Sequence, residues 1–230
     1  MASSPQEHTV AKATFAPFLW SGRMAFSLSL VWMLSLACHI GWIHWFKLPP
    51  AEHMEQIIGY HVDKAPAGGF VEKVATGAYW LVFEATHVQK YLTKAPVAGS
   101  AEVPALGPAI RRGTWAVFKP EILVAAYATV LFGVKLGVLI LALPLLAVLM
   151  ACFGVDGLVQ RHIRRACGGH ESASLYHRAK LYGFKLLPPF TGVIFLCSPV
   201  AFDPAWLLIP TTLVSAFLLR IQATYYKKYL

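Results

Sequence analysis

Residues 122–153 read ILVAAYATVLFGVKLGVLILALPLLAVLMACF, thirty-two positions whose single charge is Lys135. As one helix they would reach about 48 Å at a rise of about 1.5 Å per residue, against a bilayer hydrocarbon of roughly 30 Å. The run is therefore too long to be a simple span. The simplest solution puts Leu136 to Phe153 in the hydrocarbon and makes Ile122 to Val134 a helical extension in the interface or beyond it. The Lys135 ammonium then snorkels to the boundary on its flexible stem. Gly133 and Gly137 bracket this lysine in a small-xxx-small pattern that permits close approach of a second helix.

The whole chain agrees with a membrane setting. Of its 230 residues 57% are hydrophobic and 13% charged, with a mean hydropathy of +0.56. A soluble chain carries roughly 25% charge, so too little is present here to cover a water-exposed surface. Such apolar content also excludes extended disorder, and four cysteines are too few for a disulfide scaffold. The net charge of +9 would suggest nucleic acid in a soluble protein. In a membrane protein it is first explained by retention of Lys and Arg on the cytoplasmic side, next to anionic headgroups.

Three further spans are expected. The first, residues 24–46, has no Asp, Glu, Lys or Arg, with Trp20 before it and Trp42 and Trp45 at its far end, where an interfacial belt would place them. Its apolar run continues past Cys38, longer than a cleaved signal peptide requires. The others are 186–202, opening on Pro188-Pro189, and 205–219, joined by the tight turn from Ser198 to Pro204. Both are short, so a re-entrant hairpin competes with two full crossings. The fold class is thus all-α, a polytopic helical integral membrane protein of about four spans. Its parts are an N-terminal tail 1–23, a segment 47–121, the long helix 122–153, a basic loop 154–185 and a C-terminal tail 220–230.

Basic residues orient this arrangement. The 154–185 loop holds Arg161, Arg164, Arg165, Arg178, Lys180 and Lys185 against Asp156 and Glu171, and the C-terminal tail holds Arg220, Lys227 and Lys228. Both tails and the basic loop are therefore expected in the cytoplasm, and localisation in a bacterial inner membrane follows. The nearly neutral 47–121 segment, with eight Lys+Arg and seven Asp+Glu, is expected outside. It reads as mostly helical. Residues 52–61 carry Met54, Ile57, Ile58 and His61 at helical spacing, a breaker cluster covers 65–69, a helix covers 70–92, a loop 95–108, and a helix begins near 111.

The stretch 157–180, GLVQRHIRRACGGHESASLYHRAK, is the densest in chemistry. Arg161, Arg164 and Arg165 share one side of a helix leaving the membrane. Gly168-Gly169 can end that helix in a left-handed cap, and a second helix then bears Tyr176, His177, Arg178 and Lys180. This basic elbow suits either lipid phosphates alone or a docked protein, since Arg, Tyr and His populate polar interfaces. Direct nucleic-acid contact is disfavoured, because the patch is small and lies against the bilayer. Glu171, Ser174 and His177 lack a nucleophile elbow, and His162, His170 and His177 lack a metal-ligand spacing. No catalytic, cofactor or metal site is expected. Lys135 and His39 are too few polar groups for a convincing transport path, so a small transporter or channel is the alternative reading.

At this same stretch the chain resembles the membrane protein family of integrating conjugative elements and related plasmids. The shared pattern is Gly157-Leu158-Val159, Arg161, Arg164-Arg165, Gly168-Gly169, Glu171-Ser172 and Tyr176-His177-Arg178-Ala179-Lys180, with His162 where family members often carry an acid. The layout is similar too. The resemblance implies a noncatalytic accessory subunit of a type IV secretion apparatus for conjugative DNA transfer. Its partners would be the coupling ATPase or other membrane subunits. The residues expected to dock them are Arg161, Arg164, Arg165, Glu171, Tyr176, His177, Arg178 and Lys180.

Overall fold

The computed structural model describes residues 5–65, 67–85, 106–168 and 172–226. All regular structure among them is helical. Helix α1 spans Pro5–Phe46, α2 Pro50–Lys64 and α3 Gly68–Tyr79, the last continued by a π-helical turn Trp80–Glu84. Helix α4 spans Leu106–Ala166. Helix α5, Ala173–Lys180, runs through a π-helical segment Leu181–Leu186 directly into α6, Leu187–Cys197, and α7 spans Pro204–Thr224.

The boundaries have local causes. Lys47 takes a left-handed conformation (φ 52°), and the Leu48 N–H donates back to the Ile43 carbonyl. Pro49-Pro50 cannot prolong α1, but Pro50 is preset for the first turn of α2. At the other end of the chain, Pro188 and Pro189 withdraw the donors an α-helix would need for the Phe184 and Lys185 carbonyls, and the backbone widens into the π segment just before them. Asp203 caps α7 by accepting from the Ala205 N–H at 2.9 Å.

Helix α4 is the axis of the molecule. Its 61 residues extend about 92 Å at about 1.5 Å each. Between Glu121 and Val138 it is sheathed by α1, α2 and α3. Ile43, Met54, Ile57, Val124, Ala128 and Leu131 form one buried cluster. Val71, Ala75, Val134, Val138 and Phe195 form a second. Gly133 and Gly137 face α3, so close that an added Cβ would lie 2.6 Å from Ala75 Cα and 3.1 Å from Val71 Cα respectively. Further along, α7 takes over, with Leu219 against Gly154 and Ala223 against Gly157.

Directions follow from these contacts. Trp32 Nε1 donates to Thr129 Oγ1 at 3.2 Å while His44 lies 3.8 Å from Glu121, so α1 runs antiparallel to α4. Helix α7 runs parallel to α4 and the α5–α6 rod antiparallel to both. The start of α1 and the end of α7 thus point toward the same end of α4, the one rich in arginine.

Among the described residues three helices are long and apolar enough to cross a membrane: Ser21–Phe46 within α1, Val124–Ala166 within α4, and α7. The remaining expected span, 186–202, is not a single α-helix. Its α-helical part has 11 residues and ends at Cys197, and its continuity is with the α5–π rod that precedes it. Within the basic 154–185 stretch the two expected helices are present: α4 continues to Ala166 and α5 resumes at Ala173. Helix α4 also begins at Leu106, inside the expected 95–108 loop.

Candidate functional site: the arginine–tyrosine elbow and the buried Lys135 cluster

At the Arg-rich end, Gly157 lets two backbones touch. An added Cβ would meet the Arg220 carbonyl at 2.6 Å and Ala223 Cβ at 2.7 Å. Thr224 Oγ1 donates to the Gly157 carbonyl at 3.3 Å, and Arg220 Nε pairs with Asp156 Oδ2. Above this seam Arg164 stacks 4.0 Å from the Tyr225 ring and donates from Nη1 to the Thr224 carbonyl at 3.4 Å. Arg161 lies 5.1 Å from the Tyr226 ring. Tyr226 in turn meets Tyr176 of α5 at 5.8 Å, and Lys180 Nζ lies 5.9 Å from the Tyr176 ring. Cation–π contacts of this kind contribute about 0.5–2 kcal/mol each.

The eight residues expected to share a docking surface are thereby separated. Arg161, Arg164 and Tyr176 are half-buried and turned onto the end of α7, whereas Arg165, His177, Arg178 and Lys180 are exposed. The three arginines lie on one continuous helix, but Tyr226 and Tyr225 cover Arg161 and Arg164 and leave Arg165 exposed. Glu171, with Gly169 and His170, lies outside the described residues. Gly168 adopts φ +69°, and its N–H approaches the Arg165 carbonyl at 3.4 Å, so the elbow turns on a left-handed glycine. Exposed Lys185 extends the cationic surface along the π segment, between exposed Phe184 and Leu186.

The other concentration of polar groups was not legible as one. Lys135 has no exposed surface, and its ammonium donates to the Ser198 carbonyl in the turn before α7. It does not snorkel, as its position in the sequence suggested. The α6–α7 turn covers it, and the Phe195 ring centroid lies 5.7 Å from Nζ. His39 is also buried, with Nδ1 at 2.6 Å from the Ser35 carbonyl of its own helix. Ser35 Oγ reaches across to donate to the Leu196 carbonyl at 3.0 Å. His61, on α2, packs edge-on against Phe195 at 5.7 Å and Phe202 at 6.5 Å. Burial, reinforced by the Lys135 charge and opposed by Asp203, lowers the His61 pKa to about 4. Among the described residues no three His, Cys, Asp or Glu side chains converge as a metal-ligand set.

An all-helical chain with membrane-length apolar helices and a cationic elbow at one end belongs to the class of helical membrane components. Within that class it belongs to the family described as IncC plasmid conjugative DNA transfer protein DtrJ-like, whose pattern matches residues 39–227. That family places the chain in conjugative DNA transfer. No curated protein and no solved structure matches it.

Proposed function

We propose that the chain is a noncatalytic inner-membrane accessory subunit of a conjugative type IV secretion system. Its Arg-rich elbow docks a cytoplasmic partner, the coupling ATPase by preference, with anionic lipid headgroups at its rim. Both termini lie in the cytoplasm in this reading, and α1, α4, the α5–α6 rod and α7 cross the membrane. The antiparallel run of α1 against α4 supports this, since it sends the first and last helices toward one side. About 32 Å of α4, at about 1.5 Å per residue, separates Lys135 from Asp156, which matches a hydrocarbon layer of roughly 30 Å.

The observation that carries the docking role is the exposed set Arg165, Arg178, Lys180 and Lys185, with the His177 imidazole among them. None of these pairs with a carboxylate among the described residues. The helices bearing them are held from behind by the Arg–Tyr stacks, so the charges are presented on a rigid support rather than a floppy loop. Surfaces of this kind complement an acidic partner and steer its approach. Detergent co-purification should recover the coupling ATPase with the wild-type chain. Arg165→Glu with Arg178→Glu should lower both recovery and mating at unchanged membrane levels. Unaltered recovery and mating would overturn the docking role. A transporter or channel is the second reading, favoured by the buried Lys135 cluster. Lys135→Leu would then abolish transfer while leaving ATPase recovery intact.

A further inference from the structure

A cavity of about 210 Å³ lies where α6 and α7 meet the membrane-level part of α4. Leu139, Leu143 and Leu146 give it an apolar wall, and Leu143 is 55% exposed, so the cavity communicates with the lipid-facing surface. Its other walls carry four hydroxyls, Thr191 on α6 and Thr211, Thr212 and Ser215 on α7. Three of the hydroxyl protons are committed. Thr211 Oγ1 donates to the Leu207 carbonyl at 2.8 Å and Thr212 Oγ1 to the Leu208 carbonyl at 2.6 Å. Thr191 Oγ1 lies 3.2 Å from Thr211 Oγ1, so Thr191 is the donor of that pair. Ser215 differs. It is fully buried, yet its Oγ has no partner and does not bond back along its own helix as the two threonines do. Gly192 leaves a further gap in the lining, since an added Cβ would meet nothing within 4 Å.

An unsatisfied hydroxyl at membrane depth has no bulk water to turn to, so it favours a ligand that brings an acceptor. The space suits a chain rather than a helix. A helix is about 10–12 Å across with its side chains, whereas a cavity of roughly 150 Å³ already holds a benzene ring. Along α7, Ser215 lies about 7.5 Å from Arg220 at about 1.5 Å per residue, and headgroups overlie the hydrocarbon by about 5–8 Å. A lipid whose phosphate is level with the Arg220–Asp156 pair thus brings its ester carbonyl to the depth of Ser215. We propose that this cavity binds one glycerophospholipid of the bilayer, with an acyl chain filling it and the ester carbonyl accepting from Ser215 Oγ. Bulk lipid is as apolar as the leucine wall, so selectivity comes from that hydrogen bond and from dispersion contacts in an otherwise empty space. The site requires α4 and α7 to lie in the bilayer, as in the function proposed above, and is independent of what the elbow docks.

The test uses the full chain in dodecyl maltoside, washed free of lipid. Unfolding midpoints are followed as dioleoyl phosphatidylethanolamine is added, and separately its dioleyl diether analogue, which lacks the carbonyls. Ligand linkage predicts a midpoint that climbs with the logarithm of the diester once the site fills. The diether should need at least threefold more lipid for the same climb. Ser215→Ala should erase that ester preference. Gly192→Leu, whose side chain occupies the gap in the lining, should weaken the response to both lipids at least tenfold. A flat midpoint with both lipids would mean that water or detergent alone fills the cavity and would overturn the proposal. Equal responses to diester and diether in the wild type, an ester preference that survives in Ser215→Ala, or an undiminished response in Gly192→Leu would do the same. Should Gly192→Leu fail to fold, the Ser215→Ala comparison decides. A chain that stays dispersed without detergent would overturn the membrane setting and the site together, whereas a detergent-requiring chain lacking these responses loses the site alone.

Discussion

Gly133→Ala isolates one of the two tightest helix contacts at a glycine among the described residues. The new Cβ would lie 2.6 Å from Ala75 Cα, 3.0 Å from Ala78 Cβ and 3.2 Å from the Val74 carbonyl oxygen. Carbon atoms sit comfortably at about 3.5–4.0 Å, so α3 must withdraw by about 1 Å. Two of those three obstacles are backbone, which no rotamer change can move. Overpacking costs about 1–3 kcal/mol, and this site belongs at the upper end. Replacing a helical glycine returns about 1 kcal/mol, leaving a net loss of about 1–2 kcal/mol. Gly77→Ala, on α3 itself, meets nothing within 4 Å and should gain by the propensity effect alone. The two variants should therefore differ by about 2–3 kcal/mol with opposite signs. Equilibrium unfolding in mixed dodecyl maltoside–SDS micelles, read by circular dichroism, measures the difference. A Gly133→Ala protein as stable as Gly77→Ala would refute the α3–α4 contact.

Other perturbations probe the remaining seams. His61 is held neutral, with a folded pKa of about 4 below its ordinary 6.5. Its contribution is therefore complete above about pH 6.5 and is lost as pH falls toward 4, at most about 3 kcal/mol. The unfolding midpoint should drop across that window, and His61→Leu should flatten the drop. Asp203→Ala removes the cap of α7 and should cost about 0.5–2 kcal/mol, whereas Asp203→Asn keeps an acceptor and should cost far less. Equal losses in the two variants would contradict the cap. Tyr225→Leu takes the ring from beneath Arg164 and should lower stability by about 0.5–2 kcal/mol. Limited proteolysis near the end of α7 should accelerate in parallel.

How far the residues speak for themselves varies along the chain. The 122–153 run announces a helix longer than a bilayer, and α4 is such a helix. Met54, Ile57 and His61 recur at helical spacing and are buried together on one face of α2. Gly168 announces a left-handed turn, and the backbone makes one. Arg161 and Arg164 were legible as helix neighbours of Arg165. Their capture by Tyr225 and Tyr226 was not, because those tyrosines stand some sixty positions away. Lys135 failed as a local reading for the same kind of reason. A lone lysine at the edge of an apolar run finds water most cheaply, unless another part of the chain brings a carbonyl to it.

Composition and periodicity, which are local properties, were enough to establish an all-helical chain with membrane-length apolar segments and its positive excess outside the nearly neutral 47–121 segment. They act through solvent transfer and backbone hydrogen bonding, and neither needs a distant partner. Only the packed structure decided which of those charges face outward, which stack on tyrosine, and that Lys135 is buried beneath the Ser198 carbonyl and the Phe195 ring. Those outcomes depend on contacts across roughly 60 to 100 residues of chain, such as Ser198 over Lys135 and Thr129 beside Trp32. Such contacts form only once α4 has gathered the other helices around it.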